Sequence, residues 1–254
     1  MATAVPFDLP ADLLTGKVVV ITGASRGLGA GLASRFAEHG TALGLCARHE
    51  PVAPAGSRAV CAAVDVTDAT AVAAFADDVT EALGPIDLWV NNAGVLEPLG
   101  PQRDHDPSEV DRALLANIGG VANGTRAFTR LARSGPSGRR VLVNVSSGAS
   151  RSVYEGWSIY GATKAAVDHF TEIVAAEEPG VACHAVAPGV IETDMQARIR
   201  ATDEATFPAV GRFRQIHADR SANAPAWVAD HLAGLLAGTL APGTVVYRMP
   251  DEVR

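Results

Sequence analysis

The chain has 254 residues, of which 48% are hydrophobic, and its formal net charge is -7. This length and apolar content suit one well-filled domain, which we place at residues 1–254. A negatively charged chain has no general attraction for nucleic acid or for an anionic membrane surface. No apolar run reaches the ~18 residues that a membrane span needs. We therefore expect neither nucleic-acid binding nor insertion into a membrane.

After a leader over residues 1–16, apolar runs alternate with stretches of helical spacing. The predicted strands are 17–22, 42–47, 59–64, 86–91, 140–146, 181–187 and a short one at 244–247. The predicted helices are 28–39, 68–83, 108–134, 158–178 and 224–237. This alternation predicts the α/β class, a Rossmann doubly wound parallel sheet of about seven strands with helices on both faces. Ligands then bind at the carboxyl ends of the strands.

A glycine-rich turn follows the first predicted strand and precedes an amphipathic helical stretch. It reads Thr22-Gly23-Ala24-Ser25-Arg26-Gly27-Leu28-Gly29. Glycines let the backbone approach a pyrophosphate, and a helix N-terminus offers N–H groups and a partial positive charge. The turn is therefore a candidate dinucleotide-binding loop, whose members include Ser25, Arg26 and Leu28. An ordinary turn between a strand and a helix is the alternative.

A hydroxyl, a phenol and an amine are spaced so that they could meet at one carbonyl group. Lys164 lies four residues after Tyr160, which places both on one face of a helix. Its positive charge would favour phenolate and lower the pKa of Tyr160. Ser147 follows the strand-like run 141–145 and would stabilise a developing alkoxide. Ser146 is the competing serine, which strand alternation disfavours.

Several motifs follow the glycine-rich turn along the chain, the tyrosine and lysine pair among them. They are Asp65-Val66, Asn91-Asn92-Ala93-Gly94, Asn117, Asn144–Ser147, Tyr160-x-x-x-Lys164, and Pro188-Gly189 followed by Thr193. In this order and spacing, the chain resembles the short-chain dehydrogenase/reductase family over nearly its whole length. Segments 147–148, 156–160 and 188–196 are most similar to the sepiapterin reductase and benzil reductase branch. A C-terminal aspartate grips the pterin in sepiapterin reductases, and Asp251 is the only nearby candidate.

The resemblance implies a role for each motif. Tyr160 would be the proton donor, Lys164 would also hold the nicotinamide ribose, and Asn117 would hold a water that relays protons to Lys164. A clamp on the nicotinamide would be formed by Pro188, Gly189, Val190 and Thr193. The remaining cofactor contacts would come from Asp65, Val66, Asn92, Ala93 and Gly94. Asp65 could instead serve a helix N-terminus, and Asn117 could bend or cap a helix.

The residues after the second predicted strand indicate which nicotinamide cofactor is used. Ala47 stands where an NAD site usually has Asp or Glu, and Arg48 follows it. The guanidinium groups of Arg48 and Arg26 suit the 2′-phosphate of NADP(H). We expect NADP(H), with NAD(H) less favoured. Glu50 lies close by, and the alternative is that both arginines are only solvated.

We predict a cytoplasmic, NADP(H)-dependent oxidoreductase that reduces a ketone or diketone carbonyl to an alcohol. The alternatives are a pterin-specific reductase and a catalytically silent NADP(H)-binding sensor or scaffold. Residues 190–222 are expected to form a substrate lid. The predicted helix over 158–178 has apolar residues on several sides, which predicts a homodimer or homotetramer. The histidines lack metal-site spacing, and three scattered cysteines predict free thiols.

Overall fold

The computed structural model describes residue 9 and residues 13–135 and 138–252, so most of the predicted leader over 1–16 lies outside the described residues. Seven parallel strands form one sheet in the order β3-β2-β1-β4-β5-β6-β7, which confirms the predicted fold class. The strands are β1 (Val18–Thr22), β2 (Ala42–Ala47), β3 (Ala59–Ala63), β4 (Leu88–Asn91), β5 (Val141–Val145), β6 (Ala182–Ala187) and β7 (Val246–Arg248). The last strand starts two residues later than predicted.

Helices cover both faces of the sheet. They are α1 (Gly27–Glu38), α2 (Ala69–Leu83), α3 (Pro107–Leu114), α4 (Gly120–Ser134), α5 (Ser158–Glu177), α6 (Asp194–Ala201), α7 (Val210–Ala218) and α8 (Pro225–Ala237). Alternate residues of β1 serve opposite faces, as strand geometry requires. Val19 and Ile21 join a core that includes Leu32 of α1 and Leu232 of α8. Val18 and Val20 join a second core, built with α2, α4 and α5.

The predicted helical stretch over 108–134 is helical throughout, but it contains an irregular turn. A π-helical turn, Leu115–Gly119, separates α3 from α4. Asn117 lies in this turn, and its side chain exchanges hydrogen bonds with the backbone of Val95: Oδ1 accepts from the N–H at 2.8 Å and Nδ2 donates to the C=O at 2.9 Å. π-helical turns inside α-helices are frequent at functional sites. The two hydrogen bonds of Asn117 tie this part of the helix to the loop after β4.

The carboxyl ends of β1, β4, β5 and β6 lie at the same edge of the sheet. Asn91 and Asn144 end neighbouring strands, and Nδ2 of Asn91 donates to Oδ1 of Asn144 at 2.8 Å. Both are almost completely buried, and buried amides need such partners. The pair fixes the two strand ends from which the loops of the site depart. Among the described residues, no helix is long and apolar enough to cross a membrane.

Candidate active site

A cleft of about 1550 Å³ runs along the carboxyl edge of the sheet. Pockets for one drug-sized ligand usually measure ~300–1,000 Å³, so this cleft can take a larger ligand together with a smaller one. All but two of the predicted site residues line it; the exceptions are Gly29 and Asn117. The fold thus brings together residues that lie as far apart in sequence as Gly23 and Thr193.

The glycine loop forms one end of the cleft. Gly23 and Gly27 have φ values of +67° and +57°, in the region that favours glycine. A β-carbon on Gly23 would lie 2.8 Å from Cα of Ala93, so the loop passes very close to the segment after β4. α1 begins at Gly27 without a side-chain cap, whereas Asp68 caps α2. The first N–H groups of α1 are therefore available to an anion.

Gly29 packs within the protein and does not line the cleft. A β-carbon there would lie 2.3 Å from the carbonyl oxygen of Gly23 and 2.7 Å from Nδ2 of Asn92. Asn92 donates from this nitrogen to the carbonyl of Thr22 at 2.9 Å. Gly29 therefore lets the first turn of α1 pack closely against the loop.

Two arginines lie at the same end of the cleft. Arg48 follows β2, lines the cleft and is exposed. Arg26 also lines it, and its Nη1 lies 3.4 Å from Oδ2 of Asp194 in an exposed ion pair. Such exposed pairs contribute little energy, so this pair leaves Arg26 able to exchange partners.

Asp65 makes local hydrogen bonds in the turn that precedes α2. Its Oδ1 accepts hydrogen bonds from the backbone N–H and the hydroxyl of Thr67, at 2.9 and 2.8 Å. The carboxylate therefore shapes the turn before α2, and Asp68 is the cap of that helix. Asp65 and Val66 nevertheless line the cleft.

Ser147, Tyr160 and Lys164 meet at the middle of the cleft. The hydroxyl of Ser147 is hydrogen-bonded to Tyr160 and also accepts from the backbone N–H of Ala149 at 3.2 Å. Nζ of Lys164 lies 5.7 Å from the centre of the Tyr160 ring. It donates to the carbonyl of Val145 at 2.8 Å. A hydroxyl, a phenol and an amine therefore face one space, as the spacing predicts.

The pKa values in this group differ from one expectation. Burial raises the pKa of Tyr160, and its hydrogen bond with Ser147 opposes the rise. The pKa of Tyr160 is thus raised, whereas the sequence predicted that the amine of Lys164 would lower it. Burial lowers the pKa of Lys164 to about 8, although the negative charge of Asp168 opposes the change. Since desolvation disfavours the charged form of both groups, the phenol stays protonated at neutral pH.

Asp168 is a residue of this group that sequence analysis missed. It is 6% exposed and lies one helical turn after Lys164. Its Oδ1 accepts a short hydrogen bond from the hydroxyl of Ser146, which is 3% exposed. Ser146 is therefore engaged away from Tyr160, while Ser147 contacts it. The four-residue spacing of Lys164 and Asp168 is the signal that could have identified this carboxylate.

Asn117 supports the site from behind the cleft wall. Besides its bonds to Val95, its Nδ2 donates to the hydroxyl of Thr163 at 3.2 Å. A β-carbon on Gly94 would lie 3.0 Å from Oδ1 of Asn117 and 3.8 Å from Nζ of Lys164, so only a small residue fits between them. Both amide protons of Asn117 are used by the protein. Its predicted water would have to bind a remaining oxygen lone pair.

The segment after β6 faces the glycine loop across the cleft. Gly189 has φ +78°, and the carbonyl of Pro188 accepts from Nδ2 of Asn223 at 2.9 Å. A β-carbon on Gly27 would lie 3.3 Å from Cγ2 of Thr193. The predicted clamp residues, including Val190, therefore border the same space as the glycine loop.

An aromatic cluster forms the opposite end of the cleft. Trp157 and Phe207 stack with ring centres 4.5 Å apart, and Phe213 lies 5.3 Å from Trp157. Tyr154, Trp157 and Phe213 line the cleft, as does Met195, whereas Phe207 is 1% exposed and lies behind them. The hydroxyl of Tyr154 accepts from Arg212 at 2.7 Å. Much of this cluster comes from residues 190–222, which include α6 and α7.

Arg212, Arg248, Met249 and Pro250 are cleft residues that could not be identified from the sequence, whereas Asp251 was a candidate there. No short-range pattern marks Arg248, Met249 and Pro250, because only the parallel pairing of β7 with β6 brings them to this edge. Among the described residues, no group of three or more His, Cys, Asp or Glu could hold a metal ion.

Comparisons with known proteins agree with this geometry. The family model for short chain dehydrogenase matches residues 17–204. A Saccharomyces cerevisiae protein, "Benzil reductase ((S)-benzoin forming)", is 34% identical over 240 residues, which cover 87% of this chain and 90% of that protein.

Two solved structures are also similar. The KRED1-Pglu enzyme has a TM-score of 0.79 and 31% identity, covering 89% of this chain and 97% of that one. A short chain dehydrogenase from Burkholderia cenocepacia in complex with NADP has a TM-score of 0.72 and 28% identity, covering 88% and 91%. The matched region, the sheet order and the cleft together show that this chain belongs to the short-chain dehydrogenase/reductase family, whose relatives here are oxidoreductases of carbonyl and alcohol substrates.

Proposed function

We propose that the protein is an NADP(H)-dependent carbonyl reductase that converts a ketone or diketone to an alcohol. The observation that carries the proposal is the group formed by Ser147, Tyr160 and Lys164 in one cleft with the glycine loop. A silent sensor would need none of these three side chains to face the same space.

The described residues fit a dinucleotide. The uncapped start of α1 and the close approach of Gly23 to Ala93 suit a pyrophosphate lying along the loop. Arg48 and Arg26 would hold the 2′-phosphate, and Ala47 leaves no facing carboxylate at the end of β2. Beyond the pyrophosphate, Pro188, Gly189, Val190 and Thr193 would hold the nicotinamide end. One similar structure contains NADP, which supports the same choice.

The residues of the central group each have one task in the reduction. NADPH, when bound, supplies the hydride. Ser147 donates a hydrogen bond to the substrate oxygen and stabilises its growing negative charge. Tyr160 gives its proton to that oxygen, which a buried and protonated phenol can do at neutral pH. Lys164, held by the carbonyl of Val145, places a positive charge near the phenolate that remains.

Asn117 and Asp168 support Lys164 in this scheme. Asn117 fixes the loop carrying Val95 and contacts Thr163 beside the lysine. We retain its role of holding a water on the proton path, with one of its oxygen lone pairs as acceptor. The charge of Asp168 favours the ammonium form of Lys164.

The aromatic end of the cleft favours substrates with a ring beside the carbonyl. Tyr154, Trp157 and Phe213 present aromatic surfaces to this space. Aromatic pairs add about 0.5–1.5 kcal/mol beyond simple burial. A relative named as a benzil reductase supports diaryl diketones as test substrates. In this view residues 190–222 form a lid, because α6 and α7 contribute to both the cluster and the cleft wall.

The proposed homodimer or homotetramer rests on an exposed apolar face. Ile173 of α5 is 47% exposed, and Leu115, in the turn between α3 and α4, is 57% exposed. Small residues Ala162 and Ala165 are also exposed on α5, so a second helix could approach closely. We propose that this face pairs with a second copy of the chain.

A cytoplasmic location is proposed on separate grounds. All three cysteines are free thiols, and burial raises the pKa of Cys46 to about 12. Such thiols suit a reducing compartment.

The test is NADPH oxidation with benzil, aryl ketones, quinones and pterins, using wild type and Tyr160→Phe. We expect turnover of at least one diketone and a loss of about 10²–10⁴-fold in Tyr160→Phe, with NADPH affinity nearly unchanged. Tyr247→Phe is the matched control, because Tyr247 does not line the cleft. Tight NADPH binding without turnover of any carbonyl would favour the silent sensor, and turnover of pterins alone would favour a pterin reductase.

A further inference from the structure

Six arginines line the cleft, and their partners distinguish them. Four interact with neighbouring groups: Arg26 with Asp194, Arg112 with Glu109, Arg198 with Glu97, and Arg212 with the hydroxyl of Tyr154. The side chains of Arg48 and Arg248 make no hydrogen bond or ion pair within residues 13–135 and 138–252. Arg48 lies at the end of β2, in the proposed 2′-phosphate site. Arg248 therefore remains as a cation of the cleft without an assigned task.

The fold places Arg248 beside the central group. It ends β7, pairs with Ala187 of β6, and the next residue donates from its N–H to the carbonyl of Ala187 at 3.0 Å. Tyr247 and Met249 both pack against the core between the sheet and α8, so Arg248 faces the opposite side.

Its guanidinium group reaches the residue that follows Ser147. A β-carbon on Gly148 would lie 3.9 Å from both Nη1 and Nη2 of Arg248. The two nitrogens are thus equally close to this point, and their planar pair of N–H groups can bind both oxygens of a carboxylate. The side chain of Arg248 is exposed, so a ligand that enters the cleft can reach it.

The carboxylate of Asp251 lies near Gly189, whereas the guanidinium group of Arg248 lies near Gly148. Oδ1 of Asp251 would lie 3.8 Å from a β-carbon on Gly189, on the side of the predicted nicotinamide clamp. An anionic ligand is repelled from that side and attracted to the side of Ser147 and Gly148. The two charges of this short C-terminal segment therefore favour one orientation of a negatively charged substrate.

We propose that Arg248 is the anion-binding residue of the substrate site and that the enzyme prefers ketones bearing a carboxylate group. The proposal rests on the carbonyl reductase function proposed above. A carbon–hydrogen and an oxygen–hydrogen bond form at the ketone, NADPH is oxidised to NADP⁺ with uptake of one proton, and the carboxylate is unchanged.

Two matched substrate pairs test this preference. In benzoylformate and its methyl ester the acidic group adjoins the ketone, and in 4-oxocyclohexanecarboxylate and its methyl ester it lies across a ring. Each pair keeps the ketone and removes the charge. The proteins are wild type, Arg248→Gln, Arg248→Lys and the control Arg151→Gln, which makes the same change in net charge at an exposed arginine outside the cleft.

We expect Arg248→Gln to lower kcat/KM for at least one acid about tenfold or more, mainly through KM, and to change that for its ester less than about twofold. Arg248→Lys should fall between wild type and Arg248→Gln, because it keeps the charge and loses the bidentate geometry. Arg151→Gln should leave both substrates unchanged. Equal losses for acid and ester in both pairs, or no loss in any, would overturn the proposal.

A binding measurement separates this proposal from the reductase function. Calorimetry of benzoylformate and 4-oxocyclohexanecarboxylate with the NADP⁺-saturated protein reports anion binding without turnover. Weaker binding by Arg248→Gln than by wild type would support the anion site even if no ketone is reduced. Equal binding of both acids by the two proteins would reject it, whatever the activity. Circular dichroism establishes that each variant is folded.

Discussion

Replacing Lys164 by Met should change the free energy of unfolding differently at two pH values. Relative to wild type, the variant should be more stable near neutral pH than at alkaline pH. Lys164 is 5% exposed, and burial lowers its pKa from 10.5 to about 8. This gap corresponds to about 3 kcal/mol, since one pKa unit is ~1.4 kcal/mol. The buried ammonium therefore destabilises the folded wild type near pH 7 by an amount of this order, and methionine removes it.

The sign of the pH dependence follows from which state binds more protons. Below about pH 8 both folded and unfolded chains carry the ammonium, and the folded chain bears the full desolvation cost. Between about 8 and 10.5 the folded chain has released the proton while the unfolded chain retains it. Wild-type stability contributed by this group thus rises with pH, by about 2 kcal/mol between pH ~7 and ~9.5. The methionine variant has no such contribution.

Urea unfolding of both proteins at these two pH values measures the effect. The loss of the hydrogen bond to the carbonyl of Val145 lowers the stability of the variant at every pH, so only the change between the two pH values reports the charge. The chain has only two lysines, Lys17 and Lys164, so NMR of isotopically methylated lysines can follow the titration directly. A difference in free energy of unfolding between the two proteins that stays constant from pH ~7 to ~9.5 would refute the reasoning.

Three further predictions concern the proton donor, the cofactor and the assembly. Tyr160→Phe should abolish reduction and retain NADPH binding, as measured by steady-state kinetics and by fluorescence titration of NADPH. Arg48→Ala should remove most of the preference for NADPH over NADH, a loss of at least about tenfold in the ratio of kcat/KM values; equal use of both cofactors by wild type would contradict it. Ile173→Glu should shift light scattering toward the 26.2 kDa mass of one chain, whereas Val52→Glu, at a residue 93% exposed, should not; a monomeric wild type would exclude the assembly.

The sequence by itself determined the fold and most of the central group. Apolar strands that alternate with amphipathic helices specify a parallel sheet, because the helices then cover both faces and bury the strands' apolar side chains. The four-residue spacing of Tyr160 and Lys164 and the position of Ser147 after β5 are local, so they could be read directly. The glycine turn was equally clear, although sequence could not separate Gly29, which packs against Gly23, from the glycines that line the cleft.

Only the tertiary structure decided the features that depend on distant contacts. The π-helical turn at Asn117 forms because its side chain bonds the backbone of Val95, twenty-two residues away. The pKa of Tyr160 is raised because the phenol is buried, which spacing along a helix cannot reveal. Arg248 reaches Gly148 only because β7 pairs in parallel with β6 at the end of the sheet. Local patterns fix which elements form, whereas burial and strand order fix which side chains share a site.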